Sequence, residues 1–235
     1  AETLSFLLPM ITRAAEDGAT LVCLPEAASF LAANRASLRE EAEVEDNSST
    51  LEKLCHHAAG HSIAILAGSL IMRRPEDDAL VNRTVLIDAN GGISAYYDKI
   101  HMFDADVGDG HRYRESDSFV AGNHMVLADM AGMKIGLSIC YDLRFPGLYR
   151  GLARLGAEIL SIPAAFTFPS GKAHWHVLLR ARAIETGCFV VAPAQCGTHA
   201  DGRRTYGHAM IVSPWGEILS EAPTDDTNAA AGAND

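Results

Sequence analysis

Three side chains in this sequence could together carry out nucleophilic acyl chemistry. Cys140 follows the alternating apolar run 135–139, and the residues after it turn polar. A thiol at the carboxyl end of a strand, facing the start of the next helix, meets the positive end of the helix dipole, which favours thiolate. Glu26 and Lys99 also follow apolar runs. A shared sheet would bring the carboxylate, the ammonium and the thiol to one edge, where they could act as base, oxyanion stabiliser and nucleophile.

Each of these residues has an ordinary interpretation when it is considered alone. A cysteine in an apolar strand is most often a small core residue. We keep that interpretation for the other four cysteines, which are Cys23, Cys55, Cys188 and Cys196. Lys99 and Glu26 would be assigned to the solvated surface on residue type. Only the joint placement of the three residues favours a catalytic site.

Helices and strands must alternate along the chain to position these residues. Apolar residues at helical spacing predict helices over 3–15, 50–59, 146–155 and 173–186. Short apolar or alternating runs predict strands over 19–24, 63–66, 80–88, 93–97, 135–139, 158–162, 188–192, 207–212 and 217–220. The turn at 89–92 predicts a hairpin, and a βαβ unit places Cys140 at its strand-to-helix turn. The sequence therefore predicts an α/β fold.

Polar segments predict the loops and the limits of the domain. Residues 39–49 are acidic and predict a solvated loop, whereas residues 100–123 lack a sustained period and predict a long functional loop. Residues 1–222 are predicted to form one domain, and residues 223–235 a disordered tail.

Composition excludes several classes of partner. The 235 residues include 19 Lys and Arg against 30 Asp and Glu, a net charge of -11, which argues against binding to nucleic acid. The five cysteines are an odd number without a CxxC pair, so we expect reduced thiols and a cytoplasmic location. Neither an apolar run of membrane-spanning length nor a signal-peptide pattern is found in the sequence.

Four segments resemble the nitrilase, or carbon-nitrogen hydrolase, superfamily. They are residues 24–26 (LPE), 97–104 (YDKIHMFD), 114–116 (RES) and 140–146 (CYDLRFP). The resemblance covers residues 21–221 and implies a four-layer α-β-β-α sandwich that forms a homodimer through helices beside the nucleophile. The family begins with a strand before the first helix and continues past the last hairpin, so we expect the first strand to be missing here and the C-terminal segment to differ.

The resemblance also implies the roles of the site residues. Glu26 is the expected general base, Lys99 the oxyanion cation, Cys140 the nucleophile, and Glu115 a second glutamate that supports the lysine and the water. The backbone N–H of Tyr141 is the expected second oxyanion donor. The implied reaction converts a linear carboxamide to a carboxylic acid and ammonia through a thioester.

Further segments are similar to the Nit-type branch of the superfamily and suggest a substrate that carries carboxylates. They are residues 173–175 (AHW), 178–186 (LLRARAIET), 194–197 (AQCG) and 206–208 (YGH). Deaminated glutathione is the expected substrate. The alternatives are an ω-amidase acting on α-ketoglutaramate, an N-carbamoyl amino acid hydrolase or a nitrilase using the same site, and, in a different class, a non-catalytic binding protein of amidase fold.

Three residues are candidates for binding the substrate. Arg144, four residues after the nucleophile, could pair with a substrate carboxylate or form a structural ion pair with Asp142 or another acid. His101 could orient Lys99 or the substrate, or be a buried, hydrogen-bonded histidine. Phe166 is the third candidate.

No cofactor is expected, and the histidines beside Trp175 do not predict a metal site. His174 and His176 are two residues apart on a predicted helix, and this spacing points them to different faces. The sequence therefore predicts an amidase without a metal.

Overall fold

The computed structural model describes residues 2–32, 34–130 and 132–222 of the chain. Five α-helices are present in these ranges: α1 (Glu2–Glu16), α2 (Arg35–Glu41), α3 (Ser49–His61), α4 (Pro146–Arg154) and α5 (Phe168–Thr186). None of the helices in this part of the chain has the length and the apolar character needed to cross a membrane. The predicted disordered tail over 223–235 lies outside the described residues.

Two six-stranded sheets form the centre of the fold. The first sheet contains β1 (Leu21–Cys23), β2 (Glu43–Val44), β3 (Ala64–Leu66), β4 (Leu70–Arg73), β5 (Leu80–Ile87) and β6 (Ile93–Asp98). A short hairpin follows, made of β7 (Asp104–Asp106) and β8 (Arg112–Arg114). The second sheet contains β9 (Leu127–Met130), β10 (Met133–Leu137), β11 (Ile159–Ser161), β12 (Phe189–Ala192), β15 (Met210–Val212) and β16 (Ile218–Glu221). A second hairpin, β13 (Cys196–Thr198) with β14 (Arg204–Tyr206), lies between β12 and β15.

The strand order shows how the sheets are built from local units. The first sheet runs β1-β3-β5-β4-β2, with β6 paired to β5, and the second runs β16-β15-β12-β11-β10-β9. The strands β10, β11 and β12 are parallel neighbours joined by α4 and α5, as expected of βαβ units. The predicted hairpins β5–β6 and β15–β16 and the predicted βαβ unit around Cys140 are therefore confirmed.

The two sheets face each other between two layers of helices. Ile65 on β3 packs in one core cluster with Ile11 of α1 and Leu54 of α3. The next residue, Leu66, points to the opposite face and packs in the cluster that contains Leu137 of the second sheet. On the far side, α4 and α5 contact the second sheet. The arrangement is the four-layer α-β-β-α sandwich that the family resemblance implied.

Several sequence predictions need correction. Residues 39–49 were expected to be a solvated loop, but the segment includes the end of α2, the strand β2 and a 3-10 helix over Glu45–Asn47. The Asn34 side chain accepts hydrogen bonds from the first turn of α2, and Leu38 and Ala42 are buried. The predicted loop over 100–123 contains the hairpin β7–β8, and the strands β4 and β9 were not predicted.

The helix expected over 173–186 begins five residues earlier, at Phe168. The hydroxyl groups of Thr167 and Ser170 are hydrogen-bonded at 2.7 Å at the start of this helix. Pro169 also lies in this turn, where a missing N–H costs nothing. The Pro-Ser-Gly stretch that looks like a loop in the sequence is therefore compatible with the start of a helix.

Candidate active site

The structure brings Glu26, Lys99, Glu115 and Cys140 together between the two sheets. Glu26 follows β1, Lys99 follows β6, and Cys140 comes three residues after β10. The Lys99 Nζ lies 3.0 Å from Glu26 Oε1 and 2.9 Å from Glu115 Oε1. The exposed fractions of Lys99, Glu26 and Cys140 are 2%, 6% and 8%. The three strand ends thus meet in a site that is almost closed to solvent. The shared sheet expected from the sequence is wrong, because β1 and β6 belong to the first sheet and β10 to the second, and the residues meet between the two sheets.

Glu26 is held at both of its carboxylate oxygens. The Oε1 atom accepts hydrogen bonds from Lys99 and from Asn82 Nδ2, each at 3.0 Å, and Oε2 accepts one from the Ala165 N–H at 2.8 Å. Burial alone would raise the pKa of Glu26, but the Lys99 charge and the hydrogen bonds lower it below its usual value. The carboxylate is therefore ionised and able to accept a proton.

The backbone around Glu26 is also fixed by a close approach of two loops. Gly68 lies so close to the chain before Glu26 that a Cβ there would be 2.0 Å from the Pro25 carbonyl oxygen, and its φ is +62°. Glycine fits both requirements because it has no Cβ. The Gln195 side chain, in the segment between β12 and β13, donates to the Glu26 carbonyl at 3.1 Å and holds the same loop.

Lys99 is a charged amine kept in a buried position by two carboxylates. Burial would lower the pKa of Lys99, but Glu115 and Glu26 raise it well above its usual value. Glu115 is held in turn by the Phe103 N–H, which donates to Oε2 at 2.6 Å. Glu115 lies at the start of a 3-10 helix after β8, so the hairpin positions it beside the lysine.

Cys140 is the first residue of a 3-10 helix, Cys140–Arg144, and has an unusual backbone conformation. Its φ is +46°, and its N–H donates to the Pro163 carbonyl at 2.9 Å. Burial, the Glu26 charge and a hydrogen bond to Glu26 raise the pKa of the thiol well above its usual range, although Lys99 acts in the opposite direction. Burial and Glu26 therefore oppose the thiolate that the position at a strand end was expected to favour. The resting residue is a neutral thiol beside an ionised carboxylate.

A fully buried carboxylate, Asp142, holds the turn that carries the nucleophile. It accepts hydrogen bonds from the Tyr97 hydroxyl at 2.7 Å, from the Ile139 N–H at 2.9 Å and from the His101 N–H at 3.1 Å. His101 Nδ1 lies 2.6 Å from the same carboxylate, and its ring stacks on Phe145 at 3.6 Å. His101 therefore contacts Asp142 rather than Lys99, and Asp142 ties the Lys99 loop to the Cys140 turn.

The N–H of Tyr141 is placed to act as a hydrogen-bond donor beside Cys140. It belongs to the first turn of the 3-10 helix, where an N–H has no acceptor within the helix. The neighbouring Asp142 N–H donates to the Ile139 carbonyl at 3.0 Å. The Tyr141 ring packs against Phe103 and Phe145 and fixes the direction of this part of the helix.

Arg144 and Phe166, two of the candidate substrate contacts, lie together. The Arg144 guanidinium stacks over the Phe166 ring at 5.3 Å and over the Tyr141 ring at 5.8 Å. It hydrogen-bonds His174 at 3.3 Å. The alternative of an ion pair with Asp142 is not what the structure shows, because that carboxylate binds Tyr97, His101 and Ile139. The guanidinium instead lies beside two aromatic rings.

Asn82 is a site residue that the sequence interpretation missed. It lies on β5 with an exposed fraction of 5%, and its amide donates to both Glu26 and Glu115, the latter at 3.3 Å. The available signal was a polar residue inside the apolar strand 80–87, since a buried amide needs partners. Ala165 and Phe103 contribute only backbone N–H groups, and the identity of a residue does not show what its N–H will bind.

Comparison with known proteins identifies the family. The sequence profile of the carbon-nitrogen hydrolases matches residues 1–231. The chain belongs to the carbon-nitrogen hydrolase family. Its enzymes hydrolyse carbon-nitrogen bonds other than peptide bonds, as the sequence resemblance implied. A relative named deaminated glutathione amidase, from Yersinia enterocolitica, is 46% identical over 208 residues, which are 88% of this chain and 72% of the relative.

Two solved structures have the same carbon-nitrogen hydrolase fold. The NitFhit protein of C. elegans superposes with a TM-score of 0.88 at 38% identity, over 94% of this chain and 54% of that protein. This chain therefore spans about half of that fusion protein. A mutant of the amidase from Nesterenkonia sp. AN1, with acrylamide added at its active site cysteine, superposes with a TM-score of 0.81 at 25% identity, over 95% of this chain and 83% of that amidase.

Proposed function

We propose that this carbon-nitrogen hydrolase is an amidase that uses Cys140 as its nucleophile and forms a thioester. The observation that carries the proposal is the placement of Cys140, Glu26 and Lys99 in one buried site, where Glu26 is hydrogen-bonded to both Lys99 and the Cys140 thiol. A non-catalytic protein would not need this costly burial of charge. In the mutant of the Nesterenkonia amidase, acrylamide is added at the active site cysteine, which supports a nucleophilic cysteine in this fold.

The first half of the reaction transfers the acyl group to sulfur. Glu26 takes the Cys140 proton as the sulfur attacks the amide carbon, and the carbonyl oxygen becomes an oxyanion. Lys99 Nζ and the Tyr141 N–H stabilise this oxygen, a contribution of about 2.7–4 kcal/mol for each such donor. Glu26 then gives the proton to the leaving nitrogen, the carbon-nitrogen bond breaks, and a thioester remains.

The second half returns the enzyme to its resting state. Glu26, again ionised, takes a proton from a water molecule that attacks the thioester carbon. The same two donors stabilise the second oxyanion. Collapse of this intermediate expels the sulfur, which recovers its proton from Glu26, and releases the carboxylic acid. Glu115 holds Lys99 in place throughout, since the lysine contacts both glutamates.

The proposed substrate is deaminated glutathione, the compound named for the Yersinia relative. In this compound an oxo group replaces the amino group of glutathione, and the γ-amide nitrogen belongs to cysteinylglycine. The amine that leaves is therefore cysteinylglycine, whereas the sequence-based expectation named ammonia. Ammonia would leave from α-ketoglutaramate. Both reactions give the same acyl-enzyme and the same α-keto diacid.

We expect kcat/KM for deaminated glutathione to exceed that for α-ketoglutaramate. A pocket large enough for deaminated glutathione would still admit α-ketoglutaramate, which would only make fewer contacts. A pocket that fits only the five carbons of α-ketoglutaramate would exclude deaminated glutathione altogether, so the two kinds of pocket give different substrate preferences. The measurement is release of the common α-keto diacid from these two compounds, and release of ammonia from an aliphatic nitrile and an N-carbamoyl amino acid as further substrates. Equal or higher efficiency with α-ketoglutaramate would move the assignment to ω-amidase. Preference for the nitrile or the carbamoyl compound would move it to those classes.

We propose that Arg144 binds a carboxylate of the substrate. The guanidinium is on the same 3-10 helix as Cys140, stacks on Tyr141 and Phe166, and is hydrogen-bonded to the His174 ring rather than to a carboxylate. A planar cation in this position suits bidentate binding of a carboxylate. Phe166 supports the cation through its ring, and His101 acts indirectly, because its contacts are with Asp142 and Phe145.

Replacement of Arg144 is expected to raise KM more than it lowers kcat. We expect Arg144→Ala to raise KM by about 10- to 100-fold, the equivalent of one charge-assisted hydrogen-bonded pair. Arg144→Lys should keep the charge but lose the bidentate geometry, and should lie between the wild type and alanine. Steady-state kinetics with an amide that lacks carboxylates is the control, since its KM should not change. An unchanged KM for the acidic substrate in both variants would contradict the assignment.

The homodimer and the cytoplasmic location stay predictions. Large exposed side chains on α5 and at β15–β16 are consistent with a second copy covering the helix beside the nucleophile. They are Val177, Ile184, Ile211, Trp215 and Leu219.

A further inference from the structure

A second cluster of chemically reactive side chains lies outside the site of Cys140. His176 on α5, His208 just before β15 and Glu221 at the end of β16 bring their ligand atoms within 4.8 Å of one another. Sequence spacing missed this group, because it considered only the pair His174 and His176, whose members face apart. The partners of His176 come from a later hairpin that packs onto the same helix.

The two imidazole rings converge on one oxygen atom. His176 Nε2 lies 3.1 Å from Glu221 Oε1, and His208 Nδ1 contacts the same oxygen. The rings are 5.1 Å apart and meet edge to face, so each ring presents one nitrogen to the shared point. Two ring nitrogens aimed at one point, with a carboxylate beside them, are the ligands of a three-residue metal site.

The backbone holds at least one of these rings firmly. The Trp175 indole N–H donates to the His208 carbonyl at 2.8 Å, and Trp175 is fully buried. His208 has a φ of +55°, and its ring lies 4.2 Å from that of Tyr206. In the single chain the three side chains are 23% to 32% exposed, so an ion could reach them from solvent.

We propose that His176, His208 and Glu221 bind one divalent transition-metal ion, with zinc as the best match. The ion would occupy the point where Glu221 Oε1 now lies, bound by the two ring nitrogens, and the partly exposed carboxylate would move back to become the third ligand. Solvent would complete the coordination. Imidazole nitrogen favours zinc and its neighbours over calcium and magnesium, which prefer oxygen ligands.

The expected role of the ion is structural. It would join α5, the segment entering β15, and β16, which are three elements at one edge of the second sheet. A ligand that binds only the folded state stabilises it, so the melting temperature should rise with zinc concentration. None of the three residues belongs to the set around Cys140, so hydrolysis does not require the ion.

The test is a titration of the purified chain with Co²⁺ and with Zn²⁺, first freed of metal by EDTA. Co²⁺ gives visible bands when bound by nitrogen and oxygen, and an additional strong near-ultraviolet band when bound by thiolate. We expect one equivalent without the thiolate band, displaced by Zn²⁺, and a melting temperature that rises with Zn²⁺ and falls again with EDTA.

Variants assign the ion to its ligands. His176→Gln and Glu221→Gln should each weaken Zn²⁺ binding by about tenfold or more and remove the thermal shift. His56→Gln, on the exposed surface of α3, is the matched control and should bind like the wild type. Alkylation of Cys140 should leave binding unchanged. The proposal is overturned if the wild type binds no ion, if both ligand variants bind normally, or if alkylation removes the binding, and the cluster is then a hydrogen-bonded network alone.

Discussion

Replacement of Cys140 by alanine is expected to abolish amide hydrolysis and leave the fold intact. We expect kcat to fall on the order of 10⁴-fold or more, because the described part of the chain places no other thiol beside Glu26 and Lys99 to form the thioester. The lost atom is small, and Glu26 keeps its contacts with Lys99, Asn82 and Ala165. Cys140→Ser should be similarly inactive, since a hydroxyl is a much weaker nucleophile beside the same base.

Mass and stability measurements separate a chemical effect from a folding effect. Intact-protein mass after rapid quenching should show the acyl group on the wild type and none on Cys140→Ala. Denaturant midpoints of the two proteins should agree closely. Cys196→Ala, at an exposed cysteine on β13, is the control and should retain full activity. Turnover by Cys140→Ala within tenfold of the wild type would rule out the thioester mechanism.

The strand ends explain why the core of the candidate site could be predicted from sequence. Glu26, Lys99 and Cys140 each lie at or just beyond the end of a predicted strand, although β6, before Lys99, is itself largely exposed. Polar residues at strand ends are common in the ligand crevice of an α/β fold. The physical pattern alone therefore grouped these three residues, and the family resemblance then implied their roles.

Other members of the site depend on long-range geometry that the sequence does not express. Glu115 reaches Lys99 because a short hairpin turns the chain back, and only the resemblance pointed to it. Asp142 resembles an ordinary acid in a polar segment, yet four hydrogen bonds converge on it. The raised pKa of Cys140 arises from burial and from Glu26, so it follows from the assembled site rather than from the adjacent helix.

The sequence interpretation missed secondary structure in polar segments, where a few tertiary contacts stabilise a strand or helix that the composition does not favour. The segment 39–49 is acidic, but Glu43 and Val44 pair with β4 as a short parallel strand. The Glu43 carboxylate accepts hydrogen bonds from Ser48 at 2.6 Å and from Ser49 at 2.7 Å, and these contacts hold the start of α3. Such contacts are specific to the folded arrangement, and no periodicity in the sequence represents them.

Replacement of Glu26 by glutamine is expected to separate the reactivity of Cys140 from catalysis. The amide of the Glu26→Gln variant cannot accept the proton of the thiol or deliver it to the leaving amine, so we expect kcat to fall by about 10²–10⁴-fold. The thiol itself should become more acidic, because the Glu26 charge and hydrogen bond raise its pKa whereas Lys99 lowers it. Removal of the raising contribution shifts the pKa downward, and a larger fraction of thiolate exists at a given pH. Alkylation of Cys140 requires only the thiolate and no proton transfer from Glu26. In Glu26→Gln, alkylation should therefore proceed at lower pH than in the wild type, although amide hydrolysis is lost.

Glu115→Gln is the matched control, because Glu115 contacts the same Lys99 nitrogen at 2.9 Å. Glu26 is the carboxylate that raises the Cys140 pKa through its charge and a hydrogen bond, so the alkylation profile of Glu115→Gln should stay closer to that of the wild type. Loss of one charge-assisted contact to Lys99 should still lower kcat by roughly tenfold or more. The measurements are the rate of Cys140 alkylation against pH and the rate of amide hydrolysis for each variant. The general base must be the carboxylate that contacts the thiol. If the alkylation profile shifted to lower pH in Glu115→Gln and did not shift in Glu26→Gln, Glu115 would be the base and Glu26 the residue that supports Lys99.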